Sequence, residues 1–356
     1  MAGMTSRERV LLALSHRKPD RVPIHDEPWP TTIERWRREG LPQDADLAEF
    51  FGYEFRLFSF NSSFQMPTEV LEETEEYRIV RNADGAVRKD WKHQTSTPAY
   101  LEFPITDRAK WEERRERLRW NDSRVDWDTL LPQFKQAKER GYFCVFTMAT
   151  GYDRAQGFVG SENLLMAMVE DPAWVKEIFD TIADLTIAGA EEMMARGFDF
   201  DGAWLFNDMG YRNASLFSPR AYRELIFPAD RRMVDFFHAR GLKVILHSCG
   251  CVKALIPDLI RAGFDCLQPL ESKAGMDLVE LKRLYGDKLA FMGGIDARKM
   301  SHPDPAVIEE EIRTKFAVAM EDGAYIYHTD HSVPDTVGFQ RYCYIMDLVR
   351  RYGRYD

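Results

Sequence analysis

From about residue 142 to the end of the chain, short apolar runs alternate with amphipathic stretches, and this alternation limits the fold more than any other feature. Strands that alternate with helices form successive βα units, and the strands of such units pair in parallel. The longest helical patterns run from about 161 to 195 and from 221 to 239. The apolar runs predict strands at Tyr142–Thr147, Gly202–Phe206, Lys243–His247, Asp265–Gln268, Leu289–Met292 and Ala324–Tyr327.

An earlier strand is predicted around Val22, within the run from Arg21 to Glu27. It brings the number to about seven, and an eighth strand would lie in the irregular N-terminal region. Eight βα units close into a TIM barrel of roughly 250 residues. The predicted class is therefore α/β, a (β/α)8 TIM barrel with an N-terminal helical and β-hairpin insertion. An open doubly wound sheet is the alternative, but no G-x-G-x-x-G follows an early strand and no P-loop occurs.

The chain is predicted to form one barrel domain over residues 1–356, in which 1–125 contain the N-terminal elaboration and 126–356 most of the βα units. Within the elaboration, helical patterns begin near Thr5 and again at Thr31, where the pattern continues to Glu39. A hairpin is predicted from Glu76 to Thr95, because two strand-like runs flank a turn at 82–85. We expect this hairpin to cap another part of the molecule.

Composition and charge exclude several classes of protein. The formal net charge is -10 with interspersed signs, which argues against nucleic acid as a partner. No apolar run approaches the roughly 18 residues needed to cross a bilayer. The N-terminal residues also lack the apolar core of a signal peptide, so a cytoplasmic location without membrane attachment is expected. The 5 cysteines are odd in number and unevenly spaced, which leaves them free for metal binding or burial.

Reactive side chains follow almost every predicted strand. The carboxyl ends of barrel strands are where TIM barrels place their chemistry. The ordinary interpretation of such residues is a loop or a helix cap, and Asp296 fits an N-cap. The clusters are His25, Asp26 and Glu27; Tyr152, Asp153 and Arg154; Asn207, Asp208 and Tyr211; His247, Cys249 and Cys251; Gln268 and Glu271; and His328, Asp330 and His331.

The run from Lys243 to Cys251 is the strongest of these clusters. Alternate side chains of a strand point to one face, so His247 and Cys249 would project together at its end. Imidazole with thiolate suits zinc, and a catalytic zinc takes three protein ligands and keeps one position open. The alternative is an ordinary strand that ends in a histidine, with Cys249 and Cys251 as small buried residues.

Several segments, in this order and spacing, resemble the uroporphyrinogen decarboxylase superfamily, and especially its corrinoid-linked methyltransferase branch. The resemblance covers almost the whole chain and implies a TIM barrel, in agreement with the strand count. The segments that carry it are 6–14, 19–23, 204–219, 241–250, 255–260, 286–296 and 325–334.

The resemblance implies a zinc ion held by an H-x-C pair, which His247 and Cys249 match, and by a third ligand after a late strand. In relatives that ligand is usually a cysteine, and here the position is taken by His331. His328, Asp330 and Cys251 stay open for the same role. The resemblance also implies a cobalamin carried by a partner corrinoid protein, and related barrels often pair, which leaves a homodimer open.

The implied activity is methyl transfer to or from that corrinoid. Either methyl-cobalamin donates to a thiol, or a methoxy compound is demethylated as by an O-demethylase, with zinc acting as a Lewis acid. The small-molecule donor or acceptor is not named by the sequence. Asp208, Glu27 and Glu271 would orient substrate or serve as acid or base, and Tyr211 would donate a hydrogen bond. Trp29, Trp36 and Phe64 would either form an apolar wall for an aromatic substrate or belong to the core or surface.

Two functions compete with methyl transfer. The first is decarboxylation of uroporphyrinogen, whose enzymes resemble one another in an arginine-rich N-terminal segment that clamps acidic substituents, and this segment is missing. The residues in its place, from His25 to Trp36, are acidic and aromatic and would repel a polycarboxylate. The second is a barrel that handles a corrinoid without turnover.

Overall fold

A computed structural model describes residues 3–93 and 98–355 of the chain. Seven strands within the described residues form one sheet, in which every neighbouring pair is parallel and the strand order follows the chain. Their ranges are Phe55–Phe58, Phe143–Ala149, Gly202–Phe206, Lys243–His247, Cys266–Gln268, Ala290–Met292 and Tyr325–Ile326. The six strands predicted after residue 142 are all present.

Residues 22–25 lie between the first and the last strand of this sheet and close it into a barrel. Tyr327 N–H donates to the carbonyl of Pro23 at 2.9 Å, and His25 N–H donates to the carbonyl of Tyr327 at 3.1 Å. On the other side, Glu54 N–H donates to the carbonyl of Ile24 at 2.9 Å. The strand predicted around Val22 thus takes its place in the barrel, and Phe55–Phe58 is the eighth strand that the sequence pattern left unlocated. The (β/α)8 prediction is confirmed.

The helix Ser6–Leu14 packs on the apolar interior of the barrel. Thr5 and Glu8 form a capping box at its start, which satisfies two backbone donors that the first turn leaves without partners. The helix contributes Val10, Ala13 and Leu14 to a buried cluster with inward-facing strand residues such as Ile245 and Met292. This packing fills the barrel with side chains, and the polar groups are left for its carboxyl end.

Helices cover the outside of the barrel, and most begin at an aspartate N-cap or a proline in the first turn. The helices from the barrel region onward are Trp127–Glu139, Gly151–Val159, Ser161–Glu170, Pro172–Ala195, Pro219–Ala221, Phe227–His238, Ile256–Ala262, Leu278–Tyr285, Ala297–Met300, Pro305–Ala319 and Phe339–Tyr352. No helix within the described residues is long and apolar enough to span a membrane.

Two helical predictions differ from the structure in detail. The pattern from 161 to 195 predicts one stretch, but Asp171 caps a new helix that starts with Pro172, since a proline ring cannot continue the preceding helix. The stretch near 221 begins with a π-helical turn, Tyr222–Ile226, before the regular helix. The helix predicted from Thr31 to Glu39 is Pro30–Arg38.

The N-terminal elaboration holds two further helices, Leu47–Phe51 and Arg108–Arg114, and a four-stranded antiparallel sheet. Its strands are Glu69–Glu73, Tyr77–Arg81, Val87–Trp91 and Ala99–Glu102. The predicted hairpin forms its centre as far as His93, while Gln94 and Thr95 lie outside the described residues. Asp84, in the hairpin turn, pairs with Arg154 at 2.5 Å, so the sheet is fixed to the helix that follows the barrel strand Phe143–Ala149.

Candidate metal centre

Strand alternation places His247 inside the mouth of the barrel. Ile245 belongs to the interior cluster and Val244 and Leu246 to the outer core, so His247, two residues after Ile245, faces the interior. Its ring stacks on that of Phe206, with centroids 4.5 Å apart and planes at 27°. The imidazole is therefore held on one face by an aromatic side chain from the neighbouring strand.

The loops after two neighbouring strands are joined directly beyond His247. Cys251 N–H donates to the carbonyl of Tyr211 at 2.7 Å, and the two residues form an antiparallel bridge. Gly250 has a φ of 74°, and a Cβ there would lie 2.5 Å from the carbonyl carbon of Gly210. Only glycine allows both the backbone conformation and this approach. The close packing of the loops brings Cys249 toward Asp208.

Asp208, His247 and Cys249 bring one oxygen, one nitrogen and one sulfur ligand together. Their ligand atoms all lie within 4.8 Å of one another. Among the described residues, this is the one group of three or more His, Cys, Asp or Glu side chains close enough to hold a metal ion together. His247 Nε2 is 3.3 Å from Asp208 Oδ1 and 3.3 Å from Cys249 Sγ. Asp208 Oδ1 also accepts a hydrogen bond from the Cys249 backbone N–H at 2.7 Å, which fixes the carboxylate beside the thiol.

The three groups shift one another's protonation. Burial disfavours the charged ring of His247, but the adjacent Cys249 and Asp208 outweigh it and raise the pKa of His247 well above its usual value. Burial alone would raise the pKa of Asp208, whereas the hydrogen bond and charge of His247 lower it. Burial raises the pKa of the Cys249 thiol despite the nearby His247. The raised pKa of His247 favours a protonated ring, and its Nε2 lies 3.3 Å from both Asp208 Oδ1 and Cys249 Sγ.

Two further carboxylates border the three ligands. Glu271 Oε2 accepts a hydrogen bond from the backbone N–H of Gly250 at 2.7 Å and its Oε1 pairs with Lys273 at 2.8 Å, so it supports the loop that carries Cys249. Asp153 is mostly buried; this burial and the charge of Asp208 raise the pKa of Asp153 to about 6. A carboxyl group in this range can hold or release a proton near neutral pH.

A cavity of about 630 Å³ opens over the three ligands. Glu27, Trp29 and His331 line it together with Asp208, His247 and Cys249. The ring of His331 lies 5.7 Å from that of Trp29, and burial lowers the pKa of His331, so the ring is neutral near pH 7. The residues lining this cavity, all among the described ones, include no lysine or arginine.

Of the remaining predicted site residues, some line the cavity and others do not. His331 lines it, but Asp208 and not His331 completes the compact group with His247 and Cys249 in the described part of the chain. Tyr211 is 62 % exposed and contributes backbone hydrogen bonds to the loop junction, and it does not line the cavity. Cys251 is buried in the core.

Asp330 and His328, which the sequence pattern also leaves open as a third ligand, have different surroundings. Asp330 accepts backbone hydrogen bonds from Ser272 and Ala297, each at 2.9 Å, and so joins two loops. His328 is buried at the floor of the cavity. Of the proposed aromatic wall, Trp29 lines the cavity, whereas Trp36 and Phe64 are fully buried core residues.

Sequence patterns assign no role to three residues that shape the centre, namely Gln268, Asp153 and Phe206. Gln268 is the register partner of His247 on the next strand, and its Oε1 contacts His247 Nδ1. Each of the three lies at or just after the end of a predicted strand, which was the available signal. Their roles depend on the register between neighbouring strands, and one strand's sequence does not contain it.

Known proteins similar to this chain are decarboxylases and methyltransferases by name. The family model for uroporphyrinogen decarboxylase (URO-D) matches residues 144–352, more than half of the chain. The methylcobamide:CoM methyltransferase MtaA of Methanosarcina barkeri is 31% identical over 169 residues, which are 48% of this chain and 46% of MtaA. The methylated-thiol--coenzyme M methyltransferase of Methanosarcina mazei is 26% identical over 140 residues, which are 38% of this chain and 34% of that protein.

The chain thus matches less than half of the length of each of these curated relatives. The similarity is more extensive in three dimensions. A solved structure of a methyltransferase from Methanosarcina mazei superposes with a TM-score of 0.66 and covers 98% of this chain and 99% of that one. The two sequences are 16% identical, so this similarity concerns the fold.

Proposed function

The chain belongs to the uroporphyrinogen decarboxylase (URO-D) family, and from this premise we propose that it transfers a methyl group between a corrinoid and a small molecule at a zinc centre. The observation that carries the proposal is the convergence of Asp208, His247 and Cys249 at the barrel mouth. The names of the two curated relatives, both methyltransferases, support it. The corrinoid would be bound to a partner protein, and a thiol is the proposed acceptor.

The ligand atoms fit a zinc ion. Bond lengths of about 2.0–2.3 Å in a tetrahedral arrangement place neighbouring ligand atoms about 3.3–3.6 Å apart. Asp208 Oδ1 and Cys249 Sγ each lie 3.3 Å from His247 Nε2, in agreement with these edges. Three protein ligands leave a fourth position, and all three line the same cavity, which supports a catalytic rather than a closed structural site.

A zinc ion held by these ligands would act as a Lewis acid and lower the pKa of a bound thiol. In the transfer, the thiol loses its proton and its sulfur forms a bond to the methyl carbon. The carbon–cobalt bond breaks, and its electron pair stays on cobalt as cob(I)alamin. Glu27, on the cavity wall, would receive the proton. Trp29 supplies an apolar wall that excludes water.

Decarboxylation of uroporphyrinogen is the weaker proposal. A polycarboxylate substrate would meet the acidic groups of Glu27, Asp208 and Asp335 in the cavity. It would find no lysine or arginine among the described residues that line it. Burying several carboxylates without cationic partners is costly, so the electrostatics of this cavity favour a substrate without many negative charges.

The test is an anaerobic assay with zinc-loaded protein, methylcob(III)alamin and a simple thiol, in which the visible spectrum of the corrinoid is followed. We expect demethylation of the corrinoid, and a loss of at least about 100-fold in rate for Cys249→Ala, which removes a ligand. Cys251→Ala is the matched control, because it removes the same group two residues away from a core position and should leave the rate unchanged.

A second arm supplies cob(I)alamin and a methoxy-aromatic compound and follows formation of methylcob(III)alamin. Activity in that arm alone would keep the zinc centre and reverse the direction of transfer. If zinc-loaded protein is inactive in both arms and consumes uroporphyrinogen, methyl transfer is wrong. Inactivity towards all three substrates, with a corrinoid bound, would identify a barrel that handles the corrinoid without turnover.

A further inference from the structure

Gln268 links the histidine of the proposed centre to a second buried histidine. It is the last residue of the strand Cys266–Gln268 and is 1% exposed. Its Oε1 forms a short hydrogen bond with His247 Nδ1, and its Nε2 lies 3.4 Å from His328 Nε2. The two ends of one side-chain amide therefore each face an imidazole ring.

The donors and acceptors in this chain of contacts are fixed by a backbone carbonyl. His328 Nδ1 lies 2.6 Å from the carbonyl oxygen of Thr329, which can only accept a hydrogen bond. The proton of neutral His328 must therefore be on Nδ1, which leaves Nε2 as an acceptor. An acceptor at Nε2 requires the NH2 end of the Gln268 amide to face His328, and the amide oxygen then faces His247.

The opposite orientation of the amide is excluded by the same carbonyl. With the Gln268 oxygen towards His328, the ring would need its proton on Nε2, and its bare Nδ1 would face the Thr329 oxygen at 2.6 Å. Two lone pairs at that distance in a buried site repel each other. The carboxylate of Asp26, 3.8 Å from His328 Nδ1, also favours a proton at that atom.

We infer that Gln268 is a positioning residue that sets the tautomers of both histidines. It accepts the Nδ1 proton of His247 and thereby directs the Nε2 lone pair towards Asp208 and Cys249. The same amide donates to His328 Nε2 and occupies the lone pair with which His328 would otherwise bind a metal. The part that concerns metal binding rests on the proposed function, whereas the tautomer of His328 does not.

The experiment compares Gln268→Leu and Gln268→Glu with the wild type by two measurements. Long-range 1H–15N NMR of 15N-histidine protein reports which ring nitrogen of His328 carries the proton, and it needs no metal. Competition with a chromophoric chelator gives the zinc affinity, and it needs no activity. Thr186→Val is the control for the loss of a buried hydrogen bond, because Thr186 donates to Ile182 within a helix away from the centre.

We expect wild-type His328 to carry its proton on Nδ1. Gln268→Leu should weaken zinc binding by about 10- to 100-fold, the usual effect of losing the partner of a ligating histidine. Gln268→Glu should restore the affinity to within about tenfold of wild type, since a carboxylate accepts the same proton, and should place a proton on His328 Nε2. Thr186→Val should change neither measurement.

A wild-type His328 with its proton on Nε2 would overturn the inference. So would a Gln268→Leu variant that binds zinc as tightly as the wild type, or a Gln268→Glu variant that binds no better than Gln268→Leu. If the wild type binds no zinc at all, the proposed metal centre fails, and the proton position on His328 still decides the tautomer assignment. The two failures are therefore distinguishable.

Discussion

The third ligand is the point at which the structure and the sequence pattern differ most, and Asp208→Asn separates them. Asparagine keeps the shape of Asp208 and can still accept the hydrogen bond from the Cys249 backbone N–H, 2.7 Å away in the wild type. It removes the negative charge that lies 3.3 Å from His247 Nε2. Loss of zinc affinity in this variant would therefore report ligation rather than loop packing.

The size of the effect follows from the energy of a four-ligand zinc site. Apparent binding free energies of about 10–16 kcal/mol correspond to about 2.5–4 kcal/mol for each ligand. A carboxamide oxygen remains a weak ligand, so we expect a loss of about 2–3 kcal/mol, which is about 30- to 150-fold in affinity. His331→Asn is the matched variant, and it should change the affinity by less than about threefold, because His331 lies outside the compact group.

Chelator competition at constant pH measures both affinities, and the unfolding midpoint of each metal-free variant shows whether folding is intact. The reasoning is refuted if His331→Asn costs more than Asp208→Asn. Equal losses of about 30-fold or more in both variants would make His331 a fourth ligand and close the position that we assign to substrate.

Three other perturbations follow from the same structure. Because the pKa values of His247 and Cys249 are raised, both side chains carry protons near pH 7, and zinc must displace these two protons to bind. The apparent zinc affinity should therefore increase as the pH rises, by up to about 100-fold per pH unit below the pKa of His247. Gly250→Ala should lower the free energy of unfolding by about 1–3 kcal/mol and weaken metal binding, since its Cβ would meet Gly210 at 2.5 Å and its φ is 74°. Burial raises the pKa of Asp230 to about 7, so the contribution of this carboxyl group to stability is full below its usual pKa and is lost as the pH rises to about 7. Across that range, the free energy of unfolding of Asp230→Asn, measured in urea, should increase relative to that of the wild type by up to about 1.4 kcal/mol per pH unit.

Each of these has a clear contrary result. A zinc affinity that does not depend on pH would mean that the metal-free ligands carry no displaceable protons. Gly241→Ala has the same backbone strain, with a φ of 73°, but no atom within 4 Å of the new Cβ. If the two glycine variants are destabilised equally, the contact between the two loops does not contribute to the effect. If the difference in free energy of unfolding between Asp230→Asn and the wild type stays constant from pH 4 to 8, the raised pKa of Asp230 is contradicted.

Local patterns were sufficient where the chemistry is local. His247 and Cys249 were predicted to project together because they are two residues apart at a strand end, and the structure places their ligand atoms 3.3 Å apart. Asp296 was predicted to fit an N-cap, and it accepts a hydrogen bond from the Arg298 backbone N–H at 2.9 Å. The recognition of the superfamily from its ordered segments is confirmed by the family match.

The residues that complete the centre depend on contacts between separate strands. Asp208 reaches Cys249 because Phe206 pairs in register with His247 and because two glycines let the following loops touch. Neither the register nor the loop contact is contained in the sequence around one strand. The short strand Phe55–Phe58 was missed for a related reason, since four residues between irregular segments carry too little periodicity to be recognised.

The metal centre itself is tested most directly by the near-ultraviolet absorption that arises when a thiolate binds Co²⁺, a spectroscopic substitute for zinc. With Asp208, His247 and Cys249 as ligands, the wild type and Cys251→Ala should develop this band and reach saturation at one Co²⁺ per chain. Cys249→Ala should bind Co²⁺ weakly and show no such band. A wild type without the band, or a band that disappears in Cys251→Ala and persists in Cys249→Ala, would contradict the assignment of the centre.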